Sequence, residues 1–220
     1  VTSLCYVNSR MSCSVESIEK KYMIKSAYRF FLFYKKRMKI IFVRHSHTVI
    51  EPQKPNRLRK LSEKIQKAIE ISADKQTFPL LQKYYTSPQL KAIHTTALIA
   101  SAFAAPISVH DLDEITSITN KRIEDFDTVK SFFERKIKRI NGETIEEAMS
   151  RFHIALEEIV KEAKEEGYDI IAVVTHTMLA LFCECYSSCD VSIWHKRIQM
   201  PDFALFDRSK KTFISSFEKK

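Results

Sequence analysis

Two apolar runs constrain this chain more than anything else in it. Ile40-Ile-Phe-Val-Arg-His45 and Ile170-Ile-Ala-Val-Val-Thr-His176 are both rich in β-branched residues, and both end in a histidine. Apolar character that is continuous rather than alternating predicts strands buried on both faces, as in a parallel sheet covered by helices. Between them the pattern changes period. Residues 61–73 have helical spacing, Tyr84–Thr86 reads as a short strand, and Pro88 suits the first turn of a helix from Leu90 to Phe103. Ser108–Leu112 reads as extended, and Val129, Phe132, Phe133, Ile137 and Ile140 repeat with a helical period. Thr144-Ile-Glu-Glu147 predicts a capping box ahead of a long helix that ends at Gly167. Phe203–Phe206 and Thr212–Phe217 read as late strands joined by the polar Arg208–Lys211 turn. Strands alternating with helices predict an α/β fold with a mainly parallel sheet.

Composition narrows the class. With 220 residues and 45% hydrophobic content the chain can bury one sizeable core. It has no apolar run near the ~18 residues that a membrane span needs. Five cysteines, two near the start and three near the end, make no disulfide framework, so a reducing cytoplasm is the simpler location. The net charge of +9 suggests nucleic acid until it is located. Most of the excess lies in residues 1–37, and the rest of the chain is nearly balanced, which argues against a nucleic-acid partner.

Residues 1–37 differ in character from the rest of the chain, running into the basic aromatic stretch Lys25–Arg37 just before the strand that Met38 opens. Two readings compete: an amphipathic membrane-surface helix, and a start site placed too early, with Met38 the true beginning. The second is favoured, and stable membrane association is not expected. The domain division is therefore an N-terminal extension, 1–37, and a catalytic domain, 38–220.

In open α/β sheets ligands bind beyond the carboxyl ends of strands, beside the N–H groups of helix N-termini. Two imidazoles delivered there, His45 and His176, could face one substrate. Arg44 adds a bidentate fork suited to phosphate. Ser87-Pro88 ends a strand and supplies a third loop, and Lys91 lies in the first turn of its helix. Taken singly, each has an ordinary alternative: a structural histidine, or a lysine in solvent.

The motifs in order resemble the histidine phosphatase superfamily, the phosphoglycerate mutase-like proteins. Val43-Arg-His-Ser-His-Thr48 resembles the family's Arg-His-Gly-Glu-Thr, and Ser87-Pro-Gln-Leu-Lys-Ala92 its Ser-Pro-x-x-Arg-Ala. Leu112-Asp-Glu114 resembles Leu-x-Glu, Gly142-Glu-Thr144 with Arg151 resembles Gly-Glu-Ser…Arg, and Val173-Val-Thr-His-Thr177 resembles Val-Ser-His-Gly. The resemblance spans residues 38–217. It implies a three-layer sandwich with helices on both faces of the sheet. It also implies a phosphoric monoester hydrolase, a histidine acid-type phosphatase, working without metal or cofactor on a small phosphorylated metabolite. His45 would be the nucleophile and Glu114 the general acid. Arg44, Lys91, His176 and Thr177 would hold the phosphoryl oxygens, with Ser46, His47 and His94 as possible pocket-lining residues.

Lys91 stands where the family has its second arginine, and Ser46 and Thr177 stand where it has glycines. Two alternatives stand beside hydrolysis: a mutase-type phosphoryl transferase as the other activity of the family, and, because of these departures, a noncatalytic phospholigand-binding protein of the same fold. A metal site on Cys183, Cys185 and Cys189 is a weak third, because their spacing is not a usual zinc pattern. His110, His153 and His195 carry no motif and read as structural. Substrate specificity is expected in the Gln53–Arg59 and Lys121–Lys138 regions, both rich in Lys and Arg.

Because every motif lies beyond residue 37, a chain that starts at Met38 should keep the melting temperature of the full chain within ~2 °C. A thermal melt of both chains checks this; a drop of roughly 4 °C or more, about 1–2 kcal/mol for a domain of this size, would show that residues 1–37 pack on the body.

Overall fold

The computed structural model describes residues 38–49, 51, 58–72, 81–101, 104–113, 126–140, 142–187 and 189–215. The readings for residues 1–37, Gln53–Arg57, Glu114 and Lys121–Asp125 lie outside the described residues.

Six strands form one sheet: β1 (Lys39–Arg44), β2 (Lys83–Thr86), β3 (Ile107–Val109), β4 (Ile170–Thr175), β5 (Asp202–Asp207) and β6 (Thr212–Ser215), in the order β3-β2-β4-β1-β5-β6. The first four positions in that order are parallel, and β5 and β6 add on antiparallel. The two histidine-bearing runs, far apart in sequence, are neighbours at the centre, with Arg44 opposite Thr175.

Strand alternation explains why helices cover both faces. On one face Ile40, Phe42, Tyr85, Ile171 and Val173 pack into the larger core. It is completed by Phe132 and Phe133 of α3 (Phe126–Phe133), Phe152 and Ile159 of α4 (Ile145–Glu165), Phe182 of α5 (Met178–Cys185) and Trp194 of α6 (Val191–Arg197). On the other face Val43, Tyr84, Ala172 and Val174 pack against Leu61 and against Ala92 and Ile99 of α2 (Leu90–Ser101), with Ile65 of α1 (Glu63–Ser72) beside them. Successive side chains of a strand point to opposite faces, so an unbroken apolar run must be covered twice. Phe42 sits amid four rings, those of Phe152, Phe182, Phe206 and Phe213.

Helix α4 follows its sequence signals closely. The Thr144 hydroxyl accepts from the Glu147 amide, and the Thr144 amide donates to the Glu147 carboxylate, closing the capping box. Ala148, Phe152, Leu156, Ile159, Val160 and Ala163 form its buried stripe. Gly167 follows with φ +82°, a conformation that favours glycine. At the start of β2 the buried Lys83 ammonium meets Glu162 at 2.6 Å and Glu166 at 2.7 Å, which ties α4 to the sheet.

Two expectations fail in backbone, the first of them while holding in burial. The helical period through Ile140 is broken after Phe133. The amide of Arg135 donates to the Phe132 carbonyl and that of Lys136 to the Ser131 carbonyl, with Arg135 at φ +56°. That is a Schellman termination with arginine where glycine is usual, so no residue marks it in the sequence. Phe132, Phe133 and Ile140 are nonetheless all buried. Strand β3 likewise stops at Val109; the His110 amide still donates to the Thr86 carbonyl at 2.9 Å, and residues 111–113 go on as a loop.

Candidate active site

The sheet register brings three loops to one edge. The His45 amide donates to the Thr175 carbonyl at 3.0 Å and the Ser87 amide to the Val174 carbonyl at 3.1 Å, so the ladder runs one step past each strand. The rings of His45 and His176 consequently lie 5.0 Å apart between centroids, tilted by 59°. Both residues are buried, His45 at 4% exposure and His176 at none.

The tautomer of His45 is set by its partner. Nδ1 is 2.6 Å from the Ser46 carbonyl oxygen, which can only accept. Nδ1 therefore carries the proton in the neutral ring, and the lone pair stays on Nε2. The loop is braced from behind: the Ser46 amide donates to the Thr95 hydroxyl at 3.1 Å, and that hydroxyl donates to the Lys91 carbonyl at 2.8 Å. Thr95 thus joins the histidine loop to the first turn of α2.

The positive groups are buried too. Arg44 donates through Nη1 to the Ile198 carbonyl at 2.6 Å and through Nη2 to the Thr177 hydroxyl at 3.4 Å. This fixes the guanidinium beneath the loop that leads into α5. Lys91 is only 3% exposed, which excludes the ordinary picture of a lysine in solvent. A side chain of this kind is kept out of water only where something compensates its charge.

On the far side, Ser87 contacts His176 Nε2 at 2.7 Å and donates to Asp113 Oδ1 at 2.9 Å. Burial raises the Asp113 carboxyl above the ordinary carboxylate range, against the pull of the Ser87 hydroxyl, and the neighbouring charge of Asp111 adds to the rise. The loop that carries Asp113 is pinned twice. The Thr175 hydroxyl donates to the Leu112 carbonyl at 2.9 Å, and Arg151 Nη1 donates to the Asp113 carbonyl at 3.0 Å while its other nitrogens hold Glu143.

Of the expected site residues, Arg44, His45, Ser46, Lys91, His176 and Thr177 are buried at or beside this edge. His47 is exposed and His94 half-buried. Glu114 lies outside the described residues, although the loop leading to it is held by Thr175 and Arg151. Ser87, Thr95, Asp113 and Thr175 are site residues that the sequence reading misses. It marks Ser87 only as part of a loop, and nothing in the spacing identifies a hydroxyl as a connector. Of the basic specificity regions, Lys130 lines a cavity of about 200 Å³ with Phe133, Glu134, Ser192, His195 and Lys196. His195 stacks on Phe133, His110 bonds to Glu162, and His153 packs against Phe182, which suits the structural reading of all three. Among the described residues no group of three His, Cys, Asp or Glu side chains could hold a metal ion; Cys183 is buried and Cys185 exposed. No helix among them is long and apolar enough to cross a membrane.

Comparison with known proteins identifies a family and a fold. The family model described as the histidine phosphatase superfamily (branch 1) matches residues 40–202. The histidine acid-type label expected from sequence belongs to a different family and is not supported. No curated protein matches the chain in sequence. Among solved structures, the mycobacterial glucosyl-3-phosphoglycerate phosphatase is similar at 12% identity and a TM-score of 0.63, covering 83% of this chain and 100% of its own. The phosphoserine phosphatase of Entamoeba histolytica, in complex with 3-phosphoglyceric acid, has 16% identity and a TM-score of 0.61, covering 83% and 98%. Bacillus stearothermophilus YhfR has 17% identity and the same TM-score and coverage. At these identities the likeness is one of fold.

The brace behind His45 generates a test that needs no substrate. Thr95→Val keeps the side-chain shape but leaves the buried Ser46 amide without its acceptor, which should cost about 1–3 kcal/mol. Urea denaturation measures this as a lower midpoint at unchanged slope. A midpoint within error of the parent would show that the loop does not depend on Thr95.

Proposed function

The chain belongs to the histidine phosphatase superfamily, and from that membership we propose that it is a phosphomonoester hydrolase in which the phosphoryl group passes through His45. The observation that carries the reading is His45 with its lone pair on Nε2, beside His176 and the buried Arg44 at the end of the two central strands. Nε2 attacks phosphorus as the bond to the leaving oxygen breaks, giving a phosphohistidine. Neutral imidazole is present near pH 7 because its ordinary pKa lies close by. Arg44, Lys91 and His176 stabilise the charge spread over the phosphoryl oxygens, with the Thr177 hydroxyl at the same edge. Glu114 gives its proton to the leaving alkoxide, then takes one from the water that attacks phosphorus and releases His45. Ser46 stands next to the nucleophile, while His47 and His94 border the pocket at most.

The substrate class is a small phosphorylated metabolite. Solved structures of the same fold include phosphatases of glucosyl-3-phosphoglycerate and of phosphoserine, one of them holding 3-phosphoglyceric acid, which supports that class. Hydrolysis is preferred to mutase-type transfer because the sequence between Glu114 and Glu143 leaves room for only a modest cap over the substrate. The product decides between them: inorganic phosphate for hydrolysis, a phosphate isomer for transfer.

A screen of phosphomonoesters without added metal should show phosphate release. Quenched turnover should trap acid-labile, base-stable phosphate on His45. Full activity in His45→Ala would remove this mechanism.

Lys91 offers a graded test. A contact of this kind to a charged group contributes about 1.5–3 kcal/mol. Lys91→Ala should therefore lower kcat/KM by roughly tenfold to a hundredfold, at about 1.4 kcal/mol per decade. Lys91→Arg should keep activity, since the guanidinium supplies the same charge with a second hydrogen bond. If Lys91→Ala is as active as the parent on one phosphomonoester, Arg44 and the histidines hold the phosphoryl group alone.

A further inference from the structure

The Ser87 hydroxyl has one proton and two lone pairs, and three groups meet it. The Gln89 backbone N–H can only donate, at 3.2 Å. An ionised Asp113 can only accept, and its Oδ1 lies at 2.9 Å. The Ser87 proton therefore goes to Asp113, one lone pair takes the Gln89 amide, and the other is left for His176 Nε2 at 2.7 Å. Nε2 must then be the donor.

We propose that Asp113, acting through Ser87, is a positioning residue that fixes His176 with Nε2 protonated and favours its imidazolium form. Nδ1 is then the nitrogen through which His176 meets a phosphoryl oxygen, and in the imidazolium it too carries a proton. The inference rests on the reading of His176 as a phosphoryl ligand. Asp113 does not touch the substrate. Its negative charge, two hydrogen bonds from the ring, favours the cation there as an opposite charge at short range does.

The surrounding charges set the balance. His45, whose ring lies 5.0 Å from that of His176, disfavours a cationic His176 whenever it is itself charged, and Arg44 and Lys91 are the other positive groups buried at or beside this edge. Asp111 opposes ionisation of Asp113, and Arg151, paired with Glu143, supports it. Against these positive groups, the carboxylate of Asp113 is an anion linked to His176 through the Ser87 hydroxyl.

Ionising Asp113 has a cost in stability that fits a functional role. Its carboxyl titrates higher in the folded chain than in the unfolded one. Between those two values the folded chain binds the extra proton. Stability therefore falls as pH rises through that window, and the loss is complete above the folded value.

The test compares the parent with Asp113→Asn, which keeps the hydrogen-bonding shape and removes the charge. NMR titration of the labelled histidine rings, with His176 assigned by its substitution, should show its pKa falling by about one unit. The alkaline limb of kcat/KM should move down by the same amount. Activity at pH 8 should fall about tenfold, with less than threefold change on the acid side. Asp113→Asn should melt no lower than the parent at pH 7. In a Ser87→Ala background the further change Asp113→Asn should leave the His176 titration unmoved. An unaltered His176 titration in Asp113→Asn overturns the proposal, as does a shift that persists without Ser87 or a uniform loss of activity at all pH values. The titration needs no turnover, so the two readings fail separately. A chain that hydrolyses no phosphomonoester but shows the shift would lose the proposed function and keep the relay. A working phosphatase without the shift would do the reverse.

Discussion

The parallel pairing of β1 with β4 at the middle of the sheet is the constraint on which the rest depends. Its register sets Arg44 against Thr175 and so puts His45 and His176 one step beyond the same ladder. A slip of one residue would turn every side chain of the strand to the other face. Phe42 would leave its cluster of rings and His45 would point away from His176. The apolar matching of two helix-covered faces therefore also aligns the histidines, and core packing and site geometry are specified by one set of contacts.

That alignment leaves polar groups where water is scarce. Arg44, His45, Ser46, Ser87, Lys91, Thr95, His176 and Thr177 are all buried at this edge or just behind it. Burying such groups is unfavourable unless partners are built in. The structure supplies them from three places in the chain: the Ile198 carbonyl after α6 for Arg44, the Thr95 hydroxyl of α2 for the Ser46 amide, and Ser87 after β2 for His176. Hydroxyls serve as connectors because each can donate to one group and accept from another. The edge is consequently held by short hydrogen-bonded chains, Ser46–Thr95–Lys91 on one side and His176–Ser87–Asp113 on the other. Asp113 is the member whose own ionisation is disfavoured by burial.

Much of this is legible in the residues. The runs ending at His45 and His176 announce central parallel strands, Thr144 and Glu147 announce the start of α4, and Gly167 its end. The motif order places Arg44, His45, Lys91, His176 and Thr177 together, and the structure buries all five. Arg135 shows what is not legible: a left-handed residue ends α3 without a glycine to signal it. Ser87, Thr95 and Thr175 are equally silent, because a hydroxyl that bridges two loops has no spacing rule. Asp113 is overshadowed by its neighbour Glu114, and only its bond to Ser87 separates it from an ordinary loop carboxylate.

By itself the sequence determined the layered α/β class, the identity of the buried stripes and the edge at which the candidate site residues gather. These come from local rules: the period of apolar residues, the chemistry of helix caps, and the direction in which parallel strands deliver their ends. Only the tertiary structure decided which nitrogen of each histidine is committed, that Lys91 is buried and not in solvent, and that Asp113 reaches His176 through Ser87. Those outcomes depend on distances between loops that are far apart in the chain. Hydrogen bonds are made or lost over a few tenths of an ångström, a scale that residue spacing does not encode.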